Sequence, residues 1–142
     1  MIVTGGVLLS VLARNTWRLS LDAESLSILR YVGVALVVVG VATLVLAYGR
    51  MARAKTTIDP NVHTSKIVTS GIYAYSRNPI YLGWFVLLAG RGLMRASVLA
   101  LLVAAAMLLV LYWAVIVAEE AYLENKFGEE YLRYKKSVRR WL

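Results

Sequence analysis

A run of 23 consecutive uncharged residues, Ala96–Ala118 (ASVLALLVAAAMLLVLYWAVIVA), constrains this chain more than any other feature. As a helix it measures about 34 Å at ~1.5 Å per residue. That length crosses the ~30 Å hydrocarbon core of a bilayer with some tilt. A second uncharged run, Tyr31–Gly49, holds 19 residues, and Arg30 just before it can reach headgroups along its flexible stem. Gly33, Gly40 and Ala47 recur every seven residues within or beside one helix face, a stripe that lets another helix approach closely. Ordinary glycine content in a membrane helix is the alternative.

Two further apolar segments are shorter. Ile2–Ala13 lacks the basic start and small-residue cleavage site of a signal peptide, and reads as a shortened or tilted first helix. Pro79–Leu93 opens on a proline, which suits the first turn of a helix because its missing N–H costs nothing there. That helix is expected to end at Arg91 or Arg95, with Gly90-Arg91-Gly92 making or approaching the turn of a hairpin with the long span.

Composition agrees. Hydrophobic residues make up 60% of the 142 residues and charged residues 17%, against about 45–50% and ~25% in soluble domains. A disordered chain, a collagen-like chain and an ordinary water-soluble domain are excluded. The absence of cysteine excludes disulfides, Cys-type zinc sites and cysteine nucleophiles, and a single histidine excludes a multi-histidine site, so no metal is expected. The net charge of +8 would suggest nucleic acid in a soluble protein. Here it reflects basic loops on one side of a membrane, and no nucleic-acid partner is expected. Eleven of the sixteen basic residues lie in 50–78 (Arg50, Arg53, Lys55, Lys66, Arg77) and after Ala118 (Lys126, Arg133, Lys135, Lys136, Arg139, Arg140). Those segments are expected to be cytoplasmic.

The expected fold is all-α: a polytopic membrane protein with about four transmembrane helices, near 2–18, 22–50, 79–94 and 96–125, and both termini cytoplasmic. It forms a single domain, divided into N-terminal membrane helices (1–50), a cytoplasmic loop (51–78), a helical hairpin (79–118) and a C-terminal tail (119–142). In the tail, Leu123, Phe127, Tyr131, Tyr134, Val138 and Trp141 form one apolar stripe at helical spacing. That predicts an amphipathic helix lying on the membrane surface. Glu119-Glu120 fit that picture less well. A carboxylate ending an apolar span is costly unless it is paired or faces a polar cavity, although simple termination of the span at the headgroups is the alternative. The loop 56–83 carries turn signals at Asp59-Pro60-Asn61, Ser70-Gly71 and Asn78-Pro79. Tyr73, Tyr75 and Tyr81 interleave there with Arg77, and a loop this long is either functional or disordered.

Lys66–Gly83 (KIVTSGIYAYSRNPIYLG) resembles the signature of the isoprenylcysteine carboxyl methyltransferase and phospholipid methyltransferase group. The second half of that signature is a Glu-Glu pair ending the next long helix and then a tyrosine-rich stretch. It is matched by Glu119-Glu120, Tyr122-Leu123, Phe127-Gly128, Tyr131 and Tyr134. The two blocks lie in order across residues 57–142, about 60% of the chain. The resemblance implies an integral membrane methyltransferase that uses S-adenosylmethionine and methylates a lipophilic acceptor, an isoprenylcysteine-type carboxylate or a lipid headgroup. It implies a site facing the cytoplasm, expected in the plasma membrane of a prokaryote. Arg77, Asn78, Pro79 and Tyr81 fall on the first motif and Glu119 and Glu120 on the second, with His63 and Tyr73 as further candidate cofactor contacts; Arg77 and Glu120 are the candidate catalytic residues. Asn78 stands where many isoprenylcysteine-type members carry histidine; asparagine is no base near neutral pH but still donates and accepts hydrogen bonds. Gly90-Arg91-Gly92 has the G-x-G pattern implicated in cofactor binding in phospholipid-directed members, yet the topology puts it toward the opposite face. Taken alone, His63 also reads as a surface histidine and Arg77 as one more cytoplasmic charge. Two other classes stay open: an NADPH-dependent membrane reductase of the sterol or steroid type, and a non-catalytic membrane interaction protein.

Overall fold

The computed structural model describes residue 19, residues 21–54 and residues 66–142, and among these the chain is all helical. Helix α1 spans Ala23–Arg53, α2 Pro79–Met94, α3 Val98–Phe127 and α4 Glu129–Ser137. A 3-10 turn at Gly71–Ala74 precedes α2. Helices α1 and α3 are long and apolar enough to cross a membrane, whereas α2 is apolar but shorter. The expected segment near 2–18 lies outside the described residues.

Local chemistry accounts for the ends. The Asp22 carboxylate caps α1 by accepting from Ser25 N–H at 3.3 Å, and Ser97 Oγ caps α3 by accepting from Ala100 N–H at 3.2 Å. Each satisfies one of the orphan donors at a helix start. Pro79 sits at the start of α2, where it removes no hydrogen bond. The α2–α3 turn is short: Ala96 takes a positive φ of 47°, and Ser97 N–H donates to Gly92 O at 3.0 Å. Leu19 N–H donates to Ala96 O at 2.9 Å, which ties the start of the described chain to that turn.

The stripe of small residues on α1 is a helix seam. A Cβ on Gly33 would lie 2.6 Å from Gly90 O, and one on Gly40 would lie 2.7 Å from Leu87 N and 2.9 Å from Gly83 O. Ala47, next along the same face, is fully buried. The backbones of α1 and α2 therefore touch, and only residues without side chains permit it. Gly90 and Gly92 lie in the last turns of α2, packed on α1 and on Leu101 respectively. They serve helix packing, about 16–20 Å along the axis from Pro79, and line neither cleft described below.

The tail departs from the single interfacial helix. Helix α3 continues to Phe127, so Glu119 and Glu120 sit inside a helix and not at its end. Gly128, at φ 51° and ψ −125°, then breaks the direction, a backbone shape that favours glycine. Helix α4 follows and the chain leaves it extended at Val138. The predicted apolar stripe is covered by the protein itself: Tyr131, Tyr134 and Val138 are buried, with Ile67, Leu123 and Phe127 packed against them. The sequence pattern reports an apolar face but not its partner, and here the partner is the segment 66–78. A Lys135–Glu124 ion pair ties α4 to α3.

Candidate active site where the two polar segments meet

The 3-10 turn and the start of α2 deliver Tyr73, Arg77, Asn78 and Tyr81 to one place, and the end of α3 delivers Glu119 and Glu120 to the same place. A register feature of α3 brings Tyr112 to the same place. Residues Tyr112–Ile116 form a π-helical turn within α3. Its one-residue surplus makes eight residues turn like seven, about two full turns. Tyr112 and Glu120 thereby share a face, and Arg140 bridges them.

Glu120 is 6% exposed. Arg140 grips it through both oxygens, Nε donating to Oε1 and Nη2 to Oε2, each at 2.8 Å. Such forked pairs are the strongest carboxylate contacts a side chain makes. The remaining Arg140 Nη1 donates to the Tyr112 hydroxyl at 2.8 Å. Arg77 Nη1 lies 3.3 Å from Glu120 Oε1, but without hydrogen-bond alignment. Arg77 Nε and Nη1 and the Tyr73 hydroxyl are the buried side-chain atoms without a hydrogen-bond partner among the described residues. Unpaired buried donors are costly, so a ligand is the natural partner for all three.

The C-terminal residues close this arrangement. Arg77 N–H donates to Arg139 O at 3.1 Å, and Asn78 Nδ2 and Ser76 Oγ donate to Arg140 O at 3.2 and 3.3 Å. Asn78 is buried and holds the C-terminal strap. Tyr134 donates its hydroxyl to Tyr73 O at 2.7 Å, which fixes the 3-10 turn against α4. Burial pushes the hydroxyls of Tyr73, Tyr131 and Tyr134 above the ordinary tyrosine range, so all three stay protonated donors. The hydrogen bond to Glu120 raises Arg140 further above its already high value.

Two clefts meet here. One, about 600 Å³ including its open mouth, lies among Lys66, Ile67, Leu123, Tyr131 and Tyr134. The other, about 330 Å³, runs beside Pro79, Ile80 and Tyr81. Both are lined by Met51, Tyr73, Arg77, Asn78 and Glu119. Glu119 accepts from the Tyr81 hydroxyl at 3.0 Å through Oε2. Tyr75, by contrast, is 74% exposed and outside the cluster. His63 lies outside the described residues.

Sequence reasoning missed Arg140 and Tyr112. Arg140 is one of four basic residues within 135–140, and nothing in the local pattern sets it apart. Tyr112 did carry a signal: it is the one hydroxyl-bearing residue between Val98 and Ala118, and such a group inside a span needs a partner.

The phospholipid methyltransferase family model matches residues 28–130 of the chain. The protein-S-isoprenylcysteine O-methyltransferase of Schizosaccharomyces pombe is 38% identical over 72 residues, which are 51% of this chain and 30% of that protein. The Mus musculus protein of the same name is 40% identical over 75 residues, 53% of this chain and 26% of its own length. An uncharacterized protein of Haemophilus influenzae is 44% identical over 63 residues, 44% of this chain and all of its own length. The matched stretch thus spans less than a third of the yeast and mouse methyltransferases.

Proposed function

This chain belongs to the phospholipid methyltransferase family, and we propose that it is an integral membrane methyltransferase that moves the methyl group of S-adenosylmethionine to a lipophilic acceptor. The observation that carries this reading is the meeting of two clefts at Tyr73, Arg77, Asn78 and Glu119. A polar donor arriving from water and an acceptor arriving from the bilayer need separate entrances to one point. In this reading α1, α2 and α3 cross the membrane and the site faces the cytoplasm. The basic residues of 50–78 and 126–140 support that orientation.

The residues present fit the donor. The unpartnered Arg77 nitrogens suit a carboxylate, and the Tyr73 hydroxyl suits a ribose oxygen. Glu119, with one oxygen engaged by Tyr81, suits an amino group or ribose hydroxyls through the other. When bound, S-adenosylmethionine supplies a methyl group on a positively charged sulfur, open to in-line displacement by an ionised nucleophile. The chain's own residues then have three tasks. Arg77 orients an anion, the tyrosine faces of the cleft attract positive charge, and the C-terminal strap with α4 excludes water from the reacting pair. An ionised carboxylate acceptor needs no base, in keeping with the absence of histidine at position 78. The relatives' names favour a prenylcysteine carboxylate and the family description a phospholipid headgroup.

The test is methyl transfer from labelled S-adenosylmethionine by the purified, reconstituted chain into prenylcysteine analogues and extracted lipids, with the product identified. Label in one acceptor class is expected. Binding and oxidation of NADPH with no methyl transfer would overturn the reading.

A further inference from the structure

We propose that Arg140 is a positioning residue that keeps Arg77 free to bind a carboxylate, by occupying both oxygens of Glu120. The inference rests on the methyltransferase reading, in which the carboxylate belongs to the donor's amino-acid part or to the acceptor.

A buried carboxylate must be paired. Among the described residues two guanidinium groups are within reach of Glu120, and their geometries differ. Arg140 makes the forked pair at 2.8 Å on both arms. Arg77 stands at 3.3 Å from one oxygen, out of line, with Nε and Nη1 unpartnered in a side chain that lines both clefts. Arg140 has further anchors. Its third guanidinium nitrogen reaches the Tyr112 hydroxyl, and its carbonyl is held by Ser76 and Asn78. Without Arg140, no other cation among the described residues lies within ion-pair distance of Glu120, and Arg77 would close the gap and form the fork itself. Its free donors would then be spent inside the protein.

Charge points the same way. Glu120 with its two arginines sums to +1, and Glu119, which lines the same clefts, is common to every variant compared. With Arg140 neutralised the sum falls by one unit and the pull on an anion weakens. Removing the Glu120 charge as well restores a single uncommitted arginine. Arg140→Gln alone should therefore be worse than Glu120→Gln/Arg140→Gln, an ordering that a purely structural strap does not produce.

The experiment measures affinity for S-adenosylmethionine and for its decarboxylated form, together with inhibition by a prenylcysteine analogue and by its amide, on the full chain in detergent. Arg140→Gln is expected to weaken binding of one carboxylate-bearing ligand by about 10- to 150-fold, the loss of a charged hydrogen bond, while its uncharged counterpart is little affected. The affected pair identifies which carboxylate Arg77 holds. The double variant is expected to recover most of the loss. Arg140→Lys, which keeps the charge but covers one oxygen, is expected to fall between wild type and Arg140→Gln, and it carries the test if Arg140→Gln does not accumulate. An additive or greater loss in the double variant overturns the inference, as does an Arg140→Lys protein equal to wild type. A wild type that binds no S-adenosylmethionine overturns both the inference and the proposed function; a wild type that binds it, with no recovery in the double variant, overturns the inference alone.

Discussion

Gly40→Ala is the smallest change that should loosen the scaffold under the site. The added methyl carbon would sit 2.7 Å from Leu87 N and 2.9 Å from Gly83 O. Both are backbone atoms of α2 and neither can rotate away. Ordinary contact begins near 3.4 Å, so α1 and α2 must part by about 0.5–0.7 Å along the seam. Overpacking of this kind costs about 1–3 kcal/mol. A gap of that size forfeits about a quarter of the dispersion well for atoms along the seam. Alanine's better helix propensity returns at most about 1 kcal/mol. Net destabilisation is expected. Gly49→Ala is the control: it lies on the same helix with nothing within 4 Å of the new carbon, so it collects the propensity gain alone. The assay is the apparent melting temperature of both variants in one detergent, with methyl transfer measured beside it. Gly40→Ala should melt several degrees below wild type and Gly49→Ala at or above it. Because Met51, on the same helix, lines both clefts, Gly40→Ala should also lose activity. Equal melting of Gly40→Ala and wild type would refute the close seam.

Arg77→Lys keeps the charge but not the planar fork, so kcat/KM should fall about tenfold or more; a correctly inserted, fully active variant would leave Arg77 only a topological role. Glu119→Gln should weaken S-adenosylmethionine binding far more than Glu129→Gln, because Glu119 lines both clefts while Glu129 is exposed; equal small effects in a titration would count against Glu119. Tyr134→Phe removes the donor to Tyr73 O and should cost about 1–3 kcal/mol in denaturant unfolding, where an unchanged midpoint would contradict the bond. Single cysteines introduced into this cysteine-free chain at positions 66 and 142 should react from the cytoplasmic side, and one at position 95 from the other; position 142 labelled only from outside would reverse the orientation.

Much of this was legible from sequence because the carrying features are local. The apolar runs, Pro79 at a helix start and the spacing of Gly33, Gly40 and Ala47 each report on residues within a few turns of one another. The helices at Pro79–Met94 and Ala23–Arg53 follow from them, and so does the α1–α2 seam. The convergence of Arg77 with Glu119 and Glu120 was legible for a different reason. It came through the resemblance, since no periodicity brings residues 77 and 120 together.

The tail shows where local pattern stops. Of its predicted stripe, Leu123 to Val138 packs together across two helices and Trp141 lies beyond the end of α4, and an apolar face alone does not say whether lipid or protein covers it. One local turn and two long-range contacts decide: Gly128 turns the chain, Tyr134 reaches Tyr73 O, and residues 139 and 140 accept from Arg77, Ser76 and Asn78. None is a periodicity. The same holds for Glu120. From sequence, a carboxylate at the foot of a span could be a terminator or a ligand contact. In the structure it is a hub whose two oxygens are taken by an arginine 20 residues later, across a break in the helix. That pairing shifts the candidate roles. In the proposed reading Glu119, which lines both clefts and has one oxygen engaged by Tyr81, is the carboxylate better placed to touch a ligand. In the same reading Glu120 acts through the arginines it holds. Substituting the two glutamates one at a time should therefore produce different defects, with affinity lost at Glu119 and arginine geometry lost at Glu120, even though they are neighbours in the chain.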